Sequence, residues 1–153
     1  MLAFENQVTI GRPLSEVFEF VSDACNNPKW NYFVLRVERC NDVIGVGAEY
    51  LQTRQSDQQR FRIVEFVADS YCVIQTLPGE RPAVRRELRF SGDQSATTIN
   101  DRIELQVPVP RFLSRLLTGR SKAAVMENLN CLAELLETDR VTLQDGRIVQ
   151  LDR

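Results

Sequence analysis

The sequence predicts an α+β protein in which a curved antiparallel sheet wraps around one long C-terminal helix. From Leu35 to Val107 the chain reads as extended segments separated by turn residues, with no helical segment between them. That order is typical of an antiparallel meander and excludes alternating βαβ units. From about Pro110 to Glu137, apolar residues recur at helical spacing and form a broad stripe.

The first part of the chain supplies one strand and two short helices. Apolar residues alternate from Leu2 to Ile10, interrupted only by Asn6, which indicates a half-buried strand. Pro13 is well placed as an early helical residue, and the helix that follows carries its apolar side through Val21. Residues 23–30 are expected to form a loop with a short helical turn.

The meander divides at turn-forming residues. The second predicted strand of the chain begins at Leu35. The strands that follow it span 48–55, 58–68, 71–77, 84–90 and 96–107. The glycines Gly45 and Gly47 mark the turn before the third strand. Pro108 and Pro110 end the last strand and open the long helix.

Bulk composition excludes several classes of function. The chain has 153 residues, enough for one domain with a real core, and a formal net charge of −2 that offers no field for nucleic acid. It contains no histidine, and its four cysteines are scattered without metal-binding or redox spacing. We therefore expect no metal and no cofactor. Without an apolar leader or a membrane-length run near its start, the chain is expected to be cytoplasmic with free thiols.

Several segments, in order, resemble those of one superfamily. They are Val17 to Asp23 followed by Pro28 and Trp30, the glycine turn 45–50, and residues 97–99 and 102–104 of the last strand. In these the chain is similar to the polyketide cyclase/dehydrase and lipid-transport superfamily, the START-like (SRPBCC) helix-grip proteins, over roughly residues 3–137. The resemblance implies a helix-grip fold with a cavity between sheet and helix. It implies a single ligand-binding domain over residues 1–137, with 138–153 as an extension.

Alternation along the strands indicates which side chains face that cavity. With Ser56-Asp57 as a two-residue turn, Tyr50 would pair with Ile63, and Ala48 with Glu65. The inner face of this hairpin would then carry two groups of residues: Ala48, Tyr50, Gln52 and Arg54 on one strand, and Phe61, Ile63, Glu65 and Val67 on the other.

The last hairpin places an ionic pair on an apolar face. In the simplest register Leu88 meets Ile99, and Arg86 falls opposite Asp101; a shift by an even number of residues keeps the faces but changes the pairs. A lone carboxylate in an apolar interior is costly, and an opposed arginine compensates it. Two interpretations follow: an anchor for a ligand's polar group, or a structural ion pair.

Three functions remain open at this level. The leading one is binding of a hydrophobic or amphipathic small molecule for transport, sequestration or sensing. The second is a cofactor-free polyketide cyclase or dehydratase that uses Tyr50, Arg54, Arg86, Asp101 and Glu65, and the third is a protein-interaction module. The candidate ligand-binding residues are Trp30, Tyr50, Gln52, Arg54, Ile63, Glu65, Arg86, Leu88, Asp101, Leu113 and Leu117.

Two further features concern the C-terminal part of the chain. Asp145-Gly146 between short apolar segments predicts a terminal hairpin that sets Leu143 beside Ile148. The hairpin is expected to pack on its own domain or, in a homodimer, on a second protomer; the alternative is a frayed tail with a chance Asp-Gly. The first half of the long helix is basic and its second half acidic, against the helix dipole. The basic half is either a surface for anionic lipid or an acidic partner, or a solvated face. No stable membrane insertion is expected.

Overall fold

The computed structural model describes residues 1–152 and confirms the α+β helix-grip fold. Seven antiparallel strands form one sheet: β1 (Leu2–Ile10), β2 (Val34–Arg39), β3 (Glu49–Arg54), β4 (Gln58–Val67), β5 (Tyr71–Thr76), β6 (Ala83–Gly92) and β7 (Thr97–Gln106). The helices are α1 (Leu14–Ser22), a 3₁₀ helix (Ala24–Lys29) and the 28-residue α2 (Arg111–Thr138). A small separate sheet holds β8 (Arg140–Thr142) and β9 (Ile148–Gln150).

The strand order of the large sheet is β1-β7-β6-β5-β4-β3-β2. Consecutive strands from β2 to β7 are neighbours, as expected of a meander, and β1 closes the sheet by pairing with β7. The turn that leads into β3 contains the two glycines that mark it in the sequence. Gly45 and Gly47 have φ angles of +83° and +94°, a left-handed conformation that residues with a Cβ seldom adopt.

The core lies between one face of the sheet, called here the inner face, and the two α-helices. The Phe18 ring of α1 packs edge-on against Phe66 and Phe90, with centroids 5.3 and 5.0 Å apart. From α2 only the second half contributes fully buried leucines: Leu129, Leu132, Leu135 and Leu136. The first half of α2 is therefore free of the main core.

Both predicted hairpins keep their faces but shift their pairs by two residues. Tyr50 pairs with Phe61, where Ile63 was expected, and Leu88 pairs with Asp101, where Ile99 was expected. The cause is the position of each turn, which is displaced by one residue along the chain: Arg54 N donates to Asp57 O around residues 55–56, and Asp93 N donates to Ala96 O around residues 94–95. The Asp93 carboxylate also accepts hydrogen bonds from the backbone N–H groups of Ser95 and Ala96, which stabilises the β6–β7 turn at this position.

A β-bulge in β4 overturns one expectation about the inner face. Ile63 pairs with Ile74 but Glu65 pairs with Val73, so one extra residue, Val64, is accommodated between them. The extra residue inverts the alternation beyond it. Phe66 turns inward toward Phe18, while Glu65 turns outward, is exposed and lies 3.5 Å from Arg85. The prediction that Glu65 and Val67 face the interior is wrong for this reason.

The segment after α2 forms a compact hairpin against the rest of the chain. Thr142 pairs with Ile148, one residue away from the expected register, because Leu143 N donates to Arg147 O across a three-residue loop. Gly146 in that loop has φ +91°, the left-handed residue that such loops require. The side chains of Val141 and Leu143 are 2% exposed and belong to the main core.

Candidate ligand cavity

An open cavity of about 480 Å³ lies between the inner face of the sheet and the middle of α2. Its volume is in the range of small-molecule sites. Its apolar walls come from β1, β4, β5, β6, β7 and α2, and one side is completed by the segment after the 3₁₀ helix. The lining residues are Phe4, Asn27, Phe33, Gln52, Arg54, Gln59, Phe61, Ile74, Thr76, Val84, Arg86, Ile103, Leu105, Arg120, Ser121, Ala124 and Val125.

Arg86 is the principal polar group of the inner face. Its Nε donates to Asp101 Oδ1 at 2.8 Å and its Nη2 to Oδ2 at 2.5 Å, in a bidentate pair. The Asp101 side chain is fully buried, and that of Arg86 is 18% exposed. The guanidinium also lies 5.6 Å from the centre of the Trp30 ring. Trp30 and Asp101 thus hold Arg86 from two sides and orient it at the cavity wall.

This ion pair does not use all the donors of Arg86. A guanidinium has five N–H groups, and within residues 1–152 its Nη1 has no hydrogen-bond partner. The Trp30 indole Nε1 is buried and is likewise unpartnered in that part of the chain. Because Arg86 lines the cavity, its unpartnered donor is suited to an acceptor group on a ligand.

Asn6 adds a second polar element that sequence reasoning missed. It faces inward on β1, directly across from Asp101 on β7, and its Nδ2 donates to Lys122 O of α2 at 2.9 Å. Asn6 therefore ties the first strand to the middle of α2, just beside the cavity. Its interruption of the apolar alternation in β1 was the signal available in the sequence.

Arginine also dominates the charge of the cavity. Arg54 lies in a bidentate pair with Asp57, at 2.7 and 2.6 Å, and that pair is partly exposed. Arg120 reaches the cavity from α2. No lining residue is acidic, so the cavity favours a ligand that presents an anionic or hydrogen-bond-accepting group.

Three of the eleven candidate ligand residues line the cavity: Gln52, Arg54 and Arg86. Trp30 and Asp101 lie behind Arg86 and support it. Tyr50, Ile63 and Leu88 do face inward, but they are buried in core packing away from the cavity. The Tyr50 ring stacks on Phe61, with centroids 5.4 Å apart, so the neighbouring Phe61 takes the wall position that was expected for Tyr50.

The expected contributions of Leu113 and Leu117 are not found. The cavity meets α2 at Arg120, Ser121, Ala124 and Val125. Leu113 lies seven residues before Arg120, which is about 10 Å along a helix that rises 1.5 Å per residue. The apolar stripe gave the correct side of the helix but not the position of the cavity along it.

The titratable side chains expected to serve as acid or base lie off the cavity. Burial raises the pKa of Tyr50 above its ordinary value, and burial raises the pKa of the Cys72 thiol to about 12. Glu65 is on the outer face, and Asp101 forms a salt bridge with Arg86. Among residues 1–152 no group of His, Cys, Asp or Glu side chains is arranged to hold a metal ion. In the same range no helix has the length and apolarity to cross a membrane.

Comparison with known proteins identifies the family. Residues 1–137 match the model of the polyketide cyclase/dehydrase and lipid transport family. No curated protein matches the chain. A solution structure of a Thermobifida fusca protein superposes with a TM-score of 0.71 at 20% identity and covers 88% of this chain and 92% of its own.

Two further structures are of proteins from a biosynthetic pathway or locus. The di-domain ARO/CYC StfQ of the steffimycin pathway has a TM-score of 0.67 at 17% identity, covering 88% of this chain and 44% of its own. DynU16, from the dynemicin biosynthetic locus, has a TM-score of 0.68 at 18% identity, covering 90% of this chain and 48% of its own. This chain therefore spans about half the length of each. At such identities the likeness shows the fold alone.

Proposed function

Since the chain belongs to the polyketide cyclase/dehydrase and lipid transport family, we propose that it binds a hydrophobic or amphipathic small molecule with an acceptor head group. The observation that carries the proposal is the cavity of about 480 Å³ with apolar walls and a braced arginine, Arg86, in its lining. The apolar body of the ligand would lie against Phe61, Ile74 and Ile103. Its head group would accept hydrogen bonds from Arg86.

The geometry supports binding better than catalysis. A cyclase or dehydratase needs a group that exchanges protons at the reacting carbon near neutral pH. The lining of this cavity has amides, hydroxyls and arginines but no carboxylate, phenol, thiol or imidazole. Its polar groups can orient a ligand, which is the task of a carrier or a sensor.

The protein-interaction alternative predicts a solid interior, since such a module has no use for an internal space. The open cavity favours a small-molecule ligand over that alternative. Native mass spectrometry of freshly purified protein is the direct test, and we expect a co-purified amphiphile that dissociates on denaturation.

Filling the cavity is expected to abolish binding. Ala124 lies on α2 at the cavity wall, whereas the adjacent Ala123 is exposed on the outer side of the same helix. In Ala124→Trp the indole would occupy the space that the ligand needs, so we expect at least about a tenfold loss of affinity, equivalent to about 1.4 kcal/mol. Anilinonaphthalene sulfonate, an anionic amphiphile, is a suitable fluorescent probe, measured by titration.

Ala123→Trp is the matched control, because it adds the same side chain to the same helix outside the cavity. We expect that variant to bind the probe like the unmodified protein. Equal affinity of Ala124→Trp and Ala123→Trp, with both folded by circular dichroism, would refute cavity binding.

A further inference from the structure

The first turns of α2 expose apolar side chains beside the cavity. Phe112 is 81% exposed, Leu116 is 53% exposed and Leu113 is 38% exposed. At about 100° per residue these three positions share one face of the helix. Four residues beyond Leu116 on this face is Arg120, which lines the cavity. We call residues 111–116 the Phe112 surface.

Basic residues border this apolar face. Between Leu105 and Met126 the chain has Arg111, Arg115, Arg120 and Lys122 and no acidic residue, although the whole chain has a net charge of −2. Arg111, Arg115 and Lys122 project within about 40° of one another, next to the apolar arc. Within residues 1–152 none of these four side chains forms a salt bridge.

Helix stability does not explain the arrangement. Cations near a helix N-terminus oppose the macrodipole, and exposed Phe and Leu gain nothing from packing. Apolar residues flanked by arginines are instead the pattern of a helix that lies in a membrane interface, where arginine reaches anionic head groups while the apolar side chains enter the acyl boundary.

We propose that the Phe112 surface docks on an anionic lipid bilayer and that the cavity exchanges its ligand with that bilayer. The inference rests on the proposed function, since the ligand would be a membrane-resident amphiphile. It would pass between the bilayer and the cavity alongside Leu116 and Arg120. A second copy of the chain is a poor occupant, because a symmetric contact would bring the arginines of both copies together.

Vesicle co-sedimentation tests the proposal. Vesicles of equal parts phosphatidylglycerol and phosphatidylcholine should bind the protein, and vesicles of phosphatidylcholine alone should bind it much less. Each basic residue at an anionic surface contributes roughly fivefold to partitioning, so Arg111→Gln/Arg115→Gln should weaken binding about 25-fold. Phe112→Ser/Leu116→Ser should also weaken it, by removing the inserted side chains.

Matched controls lie elsewhere on the surface. Ile44 is 84% exposed in the loop between β2 and β3, so Ile44→Ser removes an exposed apolar side chain without touching α2. Arg36→Gln/Arg60→Gln removes two exposed charges from the sheet. Both controls should leave vesicle binding within about twofold of the unmodified protein. The loss of charge or apolar surface away from α2 does not affect the surface that contacts the vesicle.

The outcomes separate this proposal from the proposed function. Normal probe binding by Phe112→Ser/Leu116→Ser, with lost vesicle binding, supports docking. Failure to bind anionic vesicles, or equal losses in the control variants, overturns docking while leaving cavity binding to its own test. Self-association in light scattering that disappears in Phe112→Ser/Leu116→Ser would assign the surface to a second copy and would also overturn it.

Discussion

Replacing Asp101 with alanine is expected to destabilise the protein by about 3–5 kcal/mol, because it leaves the Arg86 guanidinium in the interior without its carboxylate. The Asp101 side chain is fully buried and bidentate with Arg86, and no acidic side chain lines the adjoining cavity. Arg86 retains 18% of its exposure, so the lower end of the range is expected. The midpoint of urea unfolding measures the effect.

The double variant Arg86→Met/Asp101→Leu separates structure from ligand recognition. A buried ion pair replaced by apolar side chains of similar size is often neutral or stabilising. We therefore expect the double variant to recover most of the stability lost in Asp101→Ala. Its affinity for anilinonaphthalene sulfonate should nevertheless fall, because the donors that meet the head group are gone.

Other results would change the role of the pair. A stable double variant with unchanged probe affinity would make Arg86 and Asp101 a purely structural pair. A stable Asp101→Ala variant, with no shift in its unfolding midpoint, would contradict the burial argument itself. The conservative Asp101→Asn keeps one acceptor for Arg86, so it should lie between the unmodified protein and Asp101→Ala in stability.

The alternation of apolar residues was sufficient to predict faces of the sheet. Arg86 and Asp101 were expected on the same face, and they are, although they form a diagonal pair rather than the expected direct one. A turn displaced by one residue along the chain shifts the register by two residues, which changes partners but not faces. Face predictions in such hairpins therefore tolerate errors in the turn.

The sequence did not predict the place in β4 where the register shifts by an odd number of residues. The bulge at Val64 inverts the end of β4 and sends Glu65 outward. Nothing local marks it, because residues 63–67 alternate acceptably in either phase. The bulge places Phe66 against Phe18, a contact between elements more than 40 residues apart in sequence. Tertiary packing, rather than local pattern, selects the phase here.

The position of the cavity along α2 was also beyond the sequence. Its apolar stripe extends from Phe112 to Leu136 with a polar interruption at residues 118–122, and the first turns are exposed, the middle lines the cavity and only the last turns are core. Which of these environments a leucine receives depends on where the helix crosses the sheet. That crossing is fixed in part by the Asn6 hydrogen bond to Lys122.

Deleting residues 139–153 is expected to remove a large part of the stability of the fold. Val141 and Leu143 are each 2% exposed in the main core, and burying one such side chain is worth about 1.5–3 kcal/mol. Their loss alone amounts to about 3–6 kcal/mol, against a typical total of 5–15 kcal/mol for a domain. Leu143→Ala should reproduce about 2–5 kcal/mol of it, measured by the urea midpoint.

The hairpin should also affect the cavity, because Arg147 holds the segment that borders it. The Arg147 guanidinium donates to the backbone carbonyls of Pro28, Tyr32 and Val34 at 3.1–3.4 Å, and Phe33 in that segment lines the cavity. Arg147→Ala is therefore expected to leave the protein folded but weaken probe binding, with exposed Ile148→Ala as the unaffected control. Since Val141 and Leu143 of the hairpin pack within their own chain, light scattering should give the same mass for Ile148→Ala and the unmodified protein. An unchanged urea midpoint after deletion of residues 139–153 would show that the packing of the hairpin contributes nothing to stability. A fall in mass for Ile148→Ala would assign the hairpin to a homodimer instead.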